Sequence, residues 1–144
     1  MPTDDLLAPV DYLVVAFPDG LPHPEGFELL LELVDRGTIR VLDVEFVIAD
    51  GDGPRRIPAT DLPAVDGFDA ELWAGASSDL LDDEDLAEIG NELGAGELAA
   101  VVLVEQEWLH GVAAAWAASG ATLVADGGVP TDDLLDALDA AENR

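Results

Sequence analysis

Two nearly continuous apolar segments, Val10 to Phe17 (VDYLVVAF) and Leu98 to Val104 (LAAVVLV), constrain this chain more than any other feature in it. Each is far shorter than the ~18 apolar residues a membrane helix needs. The first is rich in β-branched and aromatic residues and is stopped by the turn-forming Pro18, Asp19 and Gly20, so both read as strands. A strand that is apolar on both faces needs cover on both faces. The expectation is therefore that the two segments are the central strands of one sheet.

The rest of the chain alternates in period around them. Pro24 opens a helix through Arg36, with Phe27, Leu30, Leu31 and Val34 on one face and Gly37 as its left-handed cap. Ile39 to Ala49 is a strand whose inward phase slips. Ile39 and Val41 share one parity, Leu42, Val44, Phe46 and Ile48 the other, and a bulge near Val41 accounts for the change. Its second half alternates apolar residues with Asp43 and Glu45, as a strand wet on one face does. Asp50 to Gly53 is a hairpin tip, followed by a short return strand over Arg55 to Ile57 that Pro58 ends. Ala59 to Ser78 has no steady period and reads as an ordered surface crossing with one helical turn around Trp73. Asp82 caps a helix that buries Leu86, Ile89 and Leu93, and Gly90 weakens that helix by about 1 kcal/mol relative to Ala. A helix from Glu107 to Ser119 gathers Trp108, Leu109, Val112, Ala113 and Trp116 on one side. Thr122 to Ala125 is a fourth main strand, and Thr131 caps a last helix carrying Leu134, Leu135 and Leu138.

With the middle set aside, the order is βαβ, crossing, βαβ. The expected architecture is α+β, a single ferredoxin-like sandwich over residues 1–144. One βαβ unit spans 10–49, a crossing and helix 50–97, a second βαβ unit 98–126 and a C-terminal helix 131–142. In such a sheet the first strand of each unit is central and the second lies at an edge. The two long helices cover one face only, so the other falls to the extra helices near 82–93 and 131–142 and to a second copy docking sheet to sheet. A homodimer is expected.

Against 32 Asp and Glu stand five Arg and no Lys, a formal charge of −27, while hydrophobic residues make up 49% of the chain. A disordered acidic tail does not carry that much apolar material, so the charge coats a folded body. Nucleic acid and anionic membranes, which are held through Lys and Arg, are disfavoured as partners. A basic protein is the partner class such a surface attracts. Codon bias in a GC-rich genome and adaptation to salt account for the acidity equally well. The lack of cysteine excludes disulfides, thiolate nucleophiles and cysteine-held metals. Residues 1–9 lack the cationic start and apolar run of a secretory signal, so a cytoplasmic protein is expected.

Glu107 and His110, three apart on one helix face, form the half-motif of a carboxylate-histidine metal site. No second Glu-x-x-His occurs, which leaves either a single weak cation site or a solvated helix start. Trp108 and His110 are candidate ligand-binding residues of a pocket between helix and sheet. The plainer reading places Trp108, Val112 and Trp116 in the core at helical spacing. No catalytic residue is identified. Ser77, Ser78 and Ser119 lack the Gly-x-Ser-x-Gly elbow and read as caps and turns. The acids Asp50, Asp52 and Asp61 have calcium-loop spacing, but Arg55 stands where the loop needs glycine and Asp61 where it needs glutamate. No phosphate loop is present, and no cofactor is expected.

PVDYLVVAFP (residues 9–18), LVDRGTIRVLDVEFVIADGDG (33–53) and LLDDEDLAEIGNELGAGELAAVVLVEQEWLHGVAAAWAASGATLVA (80–125) resemble an uncharacterised bacterial family, a domain of unknown function. More distantly the chain is similar to bacterial general-stress proteins of α/β-plait type, without the glycine-rich insert that some of them carry. The resemblance implies a compact α/β cytoplasmic protein with a stress-related role, and it carries over no catalytic residue. The expected function is a non-enzymatic interaction or assembly module with an acidic solubilising surface. The alternative is a small ferredoxin-like enzyme or ligand- or metal-binding protein with a pocket near Glu107, Trp108 and His110.

Overall fold

Proline without an N–H costs nothing in a first helical turn, and Pro24 accordingly opens helix α1 (Pro24–Asp35) after strand β1 (Val10–Phe17). Gly37, at φ +73°, closes α1 by turning Thr38 N–H back onto Leu33 O at 3.0 Å. The computed structural model describes residues 9–51, 53–122, 124, 138 and 141. Within them follow β2 (Arg40–Asp50), β3 (Gly53–Arg56), a 3-10 turn at Ala59–Asp61, α2 (Ala70–Gly75), α3 (Asp83–Gly90), β4 (Leu98–Glu105) and α4 (Trp108–Ala118). The architecture is α+β, with a four-stranded antiparallel sheet in the order β1-β4-β2-β3 and four helices among the described residues.

β4 is the sheet's inner spine. It pairs with β1 from Val10↔Glu105 to Phe17↔Leu98, and with β2 from Arg40↔Glu105 to Ile48↔Leu98. The β2 register breaks between Val41 and Asp43, which is the bulge that the slipped phase predicts. Leu98 to Val102 are all buried, so the second apolar segment is the central strand its composition predicts.

β1 departs from that expectation. It ends the strand order among the described residues, and Val10, Tyr12, Leu13 and Val14 are exposed, Tyr12 at 74%. The reason lies in where the cover falls. On one face α1 and the crossing pack Phe27, Ala59, Leu62 and Trp73 against Val44, Phe46, Leu98 and Val102, and they reach β1 only at Val15 and Phe17. On the other face α3 seats Leu86 on Val47 and Val101. The crossing is therefore no surface strap. Its turn around Trp73 is α2, and it supplies three residues to the core.

α3 starts with a capping box, in which the Asp82 side chain accepts from Asp85 N–H and that of Asp85 from Asp82 N–H. Its Gly90 is a close-packing residue rather than a defect. A Cβ there would collide with Pro54 and come within 3.0 Å of Val47 Cγ1.

α4 is the second departure. None of its residues is buried, and Trp108 and Trp116 are 47% and 63% exposed, so the expected core placement of Trp108, Val112 and Trp116 does not hold. WLHGVAAAWAA is apolar all round, and a helix of that kind gives its period little power to say which side packs. The expected strand at Thr122 to Ala125 lies partly outside the described residues. Thr122 and Val124 lie outside regular structure, Val124 is 93% exposed, and Leu123 and Ala125 fall outside the described residues. Of the last helix, Leu138 and Ala141 are helical, while Thr131, Leu134 and Leu135 lie outside the described residues. No helix among the described residues is long and apolar enough to cross a membrane.

Candidate functional site

The acids of β2 are not on its wet face. Asp43 and Glu45, two apart and on the same side of the strand, are 0% and 3% exposed. The alternation that marks a half-exposed strand marks here a buried carboxylate pair, because the chain returns over it. Val44 N–H donates to Ala76 O at 3.2 Å, which straps the end of α2 onto the edge of β2 where β3 has stopped. From there Ser78 N–H and Leu81 N–H donate to the two oxygens of Asp43 at 2.8 and 3.0 Å. Ser77 Oγ–H donates to Glu45 at 2.8 and 2.9 Å from its two oxygens, and Asp79 N–H reaches Glu45 Oε2 at 3.3 Å. Asp79 sits at φ +59°, a left-handed conformation that Asp tolerates better than most residues.

Two buried carboxyl groups this close cannot both ionise freely. Burial pushes Glu45 up, its contact with Asp43 pushes it further, and Ser77 and Arg56 pull back only in part, leaving it at about 7. Burial raises Asp43 as well, yet its hydrogen bonds with Glu45, Ser78 and Leu81 outweigh that, and it stays below the usual aspartate value. The pair thus holds one proton near neutrality, with Glu45 as the group that gains and loses it.

Arg56 of β3 supplies the positive charge. Its guanidinium lies 3.4 Å from Glu45, 2.5 Å from Asp79 and 3.2 Å from Asp83, and donates to Leu81 O at 2.9 Å. Burial opposes its charge, but Glu45, Asp79 and Asp83 hold it above the ordinary arginine value. Beside this group opens a cavity of about 210 Å³, with Phe46, Ile57 and Trp73 on its apolar wall and Glu45, Arg56, Ser77 and Asp79 on its polar one.

The residues singled out from sequence come together at a different place. At the start of α4, His110 Nε2 lies 3.1 Å from Glu105 Oε2, and Arg40 pairs with the other oxygen of Glu105 at 2.9 Å. Ligand atoms of Glu105, Glu107 and His110 lie within 4.8 Å of one another. Glu107 and His110 therefore do converge, with the fully buried Glu105 as a third member. Trp108 Nε1–H donates to Gln106 Oε1, and Gln106 Nε2–H to Asp11 Oδ2, so Trp108 is tied to the start of β1. His23, the other histidine, pairs with Asp19 at 3.0 Å in the turn before α1.

A model of a family of unknown function, DUF6325, matches residues 6–143. The chain belongs to that family. Comparison with curated proteins and with solved structures found no match.

Asp43, Glu45, Arg56 and Ser77 escape a reading of the sequence because the contacts of Asp43 and Glu45 with Ser77, Ser78 and Leu81 span 32 to 38 residues, and those of Arg56 with Glu45, Asp79, Leu81 and Asp83 span 11 to 27. One signal was present: two acids alternating inside the chain's longest β-branched segment, followed downstream by Ser77, Ser78 and Asp79, all residues able to complete a buried acid.

Proposed function

We propose that this chain is an assembly module that pairs with a second copy of itself through β1 and α4. One observation carries the reading: the exposed side chains of Tyr12, Leu13 and Val14 lie on the strand that ends the sheet among the described residues, and Gln106 ties that strand to a helix that exposes Trp108, Val112 and Trp116. The charge distribution favours a second copy as the occupant. The chain carries −27, yet α4 contains no Asp, Glu, Lys or Arg and β1 contains only Asp11. A basic partner would seek the acids elsewhere on the molecule. A strand that ends the sheet among the described residues, with apolar side chains exposed on it, and an apolar helix suit a symmetric copy.

The strand order supports a ferredoxin-like reading of the fold in part, since Val10–Phe17, Leu98–Glu105 and Arg40–Asp50 are neighbours in the sequence that such a sheet requires. A stress-related role and a cytoplasmic setting belong to the proposal through the likeness to general-stress proteins.

Light scattering from micromolar to millimolar protein, at low and molar salt, tests the assembly. The expected result is a dimer that tightens with salt as repulsion between the acidic copies is screened. A Tyr12→Lys, Trp116→Glu double variant with unchanged circular dichroism is expected to be monomeric. A wild-type chain that stays monomeric throughout contradicts the proposal.

A second reading rests on the convergence of Glu105, Glu107 and His110, a donor set suited to Zn²⁺ or Mn²⁺. Trp108 and His110 would then line the approach of a ligand. Calorimetric titration with Zn²⁺ is expected to show one site that His110→Ala weakens, and an unchanged isotherm in that variant contradicts it.

A further inference from the structure

At the opposite edge of the sheet from β1, the hydroxyl of Ser77, the carboxyl of Glu45 and the carboxyl of Asp43 stand in series beside a cavity. We propose that they form a nucleophile, a general base and a positioning residue for the hydrolysis of small uncharged esters.

The geometry has the three parts such a centre needs. Ser77 is exposed and lines the cavity, and its Oγ lies 2.8 Å from the carboxyl that would take its proton. Glu45 is buried and held by Asp43, which is fixed in turn by Ser78 N–H and Leu81 N–H. The strap from Val44 N–H to Ala76 O holds the backbone of Ser77 over β2, and the contact with both oxygens of Glu45 holds its hydroxyl. Ser78, the next residue, spends its hydroxyl on Leu42 O at 2.6 Å and is outside the series. Ser77 is more than a cap or turn residue, since its hydroxyl is shared between both oxygens of a buried acid.

In the first step Ser77 Oγ adds to the ester carbonyl carbon and its proton passes to Glu45. The tetrahedral adduct breaks its bond to the leaving oxygen, which departs as an alcohol with that proton. Water then adds to the acyl-serine while Glu45 accepts one of its protons. The new adduct releases Ser77 Oγ, which recovers the proton, and a carboxylic acid leaves. The wall formed by Phe46, Ile57 and Trp73 suits an apolar acyl group, and Asp79 and Asp83 beside Arg56 disfavour an anionic one. The groups facing Glu45 are Asp43 from its own strand, Arg56 from β3, and Ser77 and Asp79 from the segment above, with Asp83 of α3 beyond Arg56. Glu45 must be ionised to act as base, so activity rises with pH through about 7.

Diisopropyl fluorophosphate labelling of the wild-type protein, followed by peptide mapping, tests this, with p-nitrophenyl acetate turnover as a second readout. The expected result is one diisopropylphosphoryl group on Ser77, added faster as pH rises through neutrality. Ser77→Ala is expected to lose label and turnover, and Ser78→Ala to keep both. Glu45→Gln is expected to slow labelling by about 100-fold, and Asp43→Asn to move the pH midpoint of labelling. No label on wild-type Ser77, or turnover in Ser77→Ala equal to wild type, overturns the proposal. Both readouts are independent of whether the protein dimerises.

Discussion

β1 and β2 flank the same central strand and are built from opposite materials. β1 is apolar on both faces, and water reaches Tyr12, Leu13 and Val14. β2 carries Asp43 and Glu45, and water reaches neither. What separates them is the chain above each. Over β2 the segment from Ala76 to Leu81 lies down and presents a backbone amide or hydroxyl to the oxygens of the pair, so burying the acids leaves them satisfied. Over β1 no helix of the described residues settles beyond Val15 and Phe17. Burial in this molecule follows where cover falls and whether polar groups find partners beneath it. Residue type alone does not set it.

The largest effect is expected where a buried acid loses its place. Asp43→Ala strands Ser78 N–H and Leu81 N–H and is expected to cost about 3 kcal/mol in urea denaturation. If Asp43→Ala costs no more than a surface change, the acids of β2 are not buried as described.

Gly90→Ala comes next. An exposed helical glycine would gain about 1 kcal/mol on becoming alanine, but contact with Pro54 and Val47 predicts a loss of about 1–3 kcal/mol. A rise in melting temperature would show that α3 does not press on the hairpin.

pH sharpens the comparison further. Glu45, at an ordinary value of 4.5 when unfolded and about 7 when folded, binds more proton in the native state across that window. Its contribution is fully present below about 4.5 and is lost as pH rises through about 7. Asp43, held below 3.8, acts in the other direction: its contribution is present above that value and lost on acidification. Glu45→Gln is therefore expected to be more stable than wild type at pH 8 and close to it at pH 5, measured by thermal melts. An equal difference at both pH values would mean that Glu45 titrates normally.

The smallest effect belongs to β1. Tyr12→Ser is expected to change the stability of the dilute monomer by less than about 0.5 kcal/mol while weakening self-association. A large loss in the monomer would show that β1 is covered.

Strand and helix positions were legible because each has a local signature: the β-branched runs of β1 and β4, Pro24 and Gly37 around α1, the Asp82 cap of α3, and the parity slip at the β2 bulge. Placement of β1 was not legible, because apolar residues announce a need for cover without saying whether the same chain meets it. The orientation of α4 was hidden by its own composition, which is apolar on every side. Glu107 and His110 could be found because they share a helix, whereas Glu105, which completes their cluster, sits at the end of the preceding strand. Asp43, Glu45 and Ser77 meet only through tertiary folding, and alternation of acids with apolar residues looks the same whether the acids face water or a returning loop.

The most direct measurement is a ¹³C-detected NMR titration of the Glu45 side-chain carboxyl. A buried pair sharing a proton predicts a midpoint near 7, moved back toward the ordinary range when Asp43 becomes Asn. A Glu45 midpoint near 4.5 in the wild-type protein would contradict it and return the acids of β2 to open water.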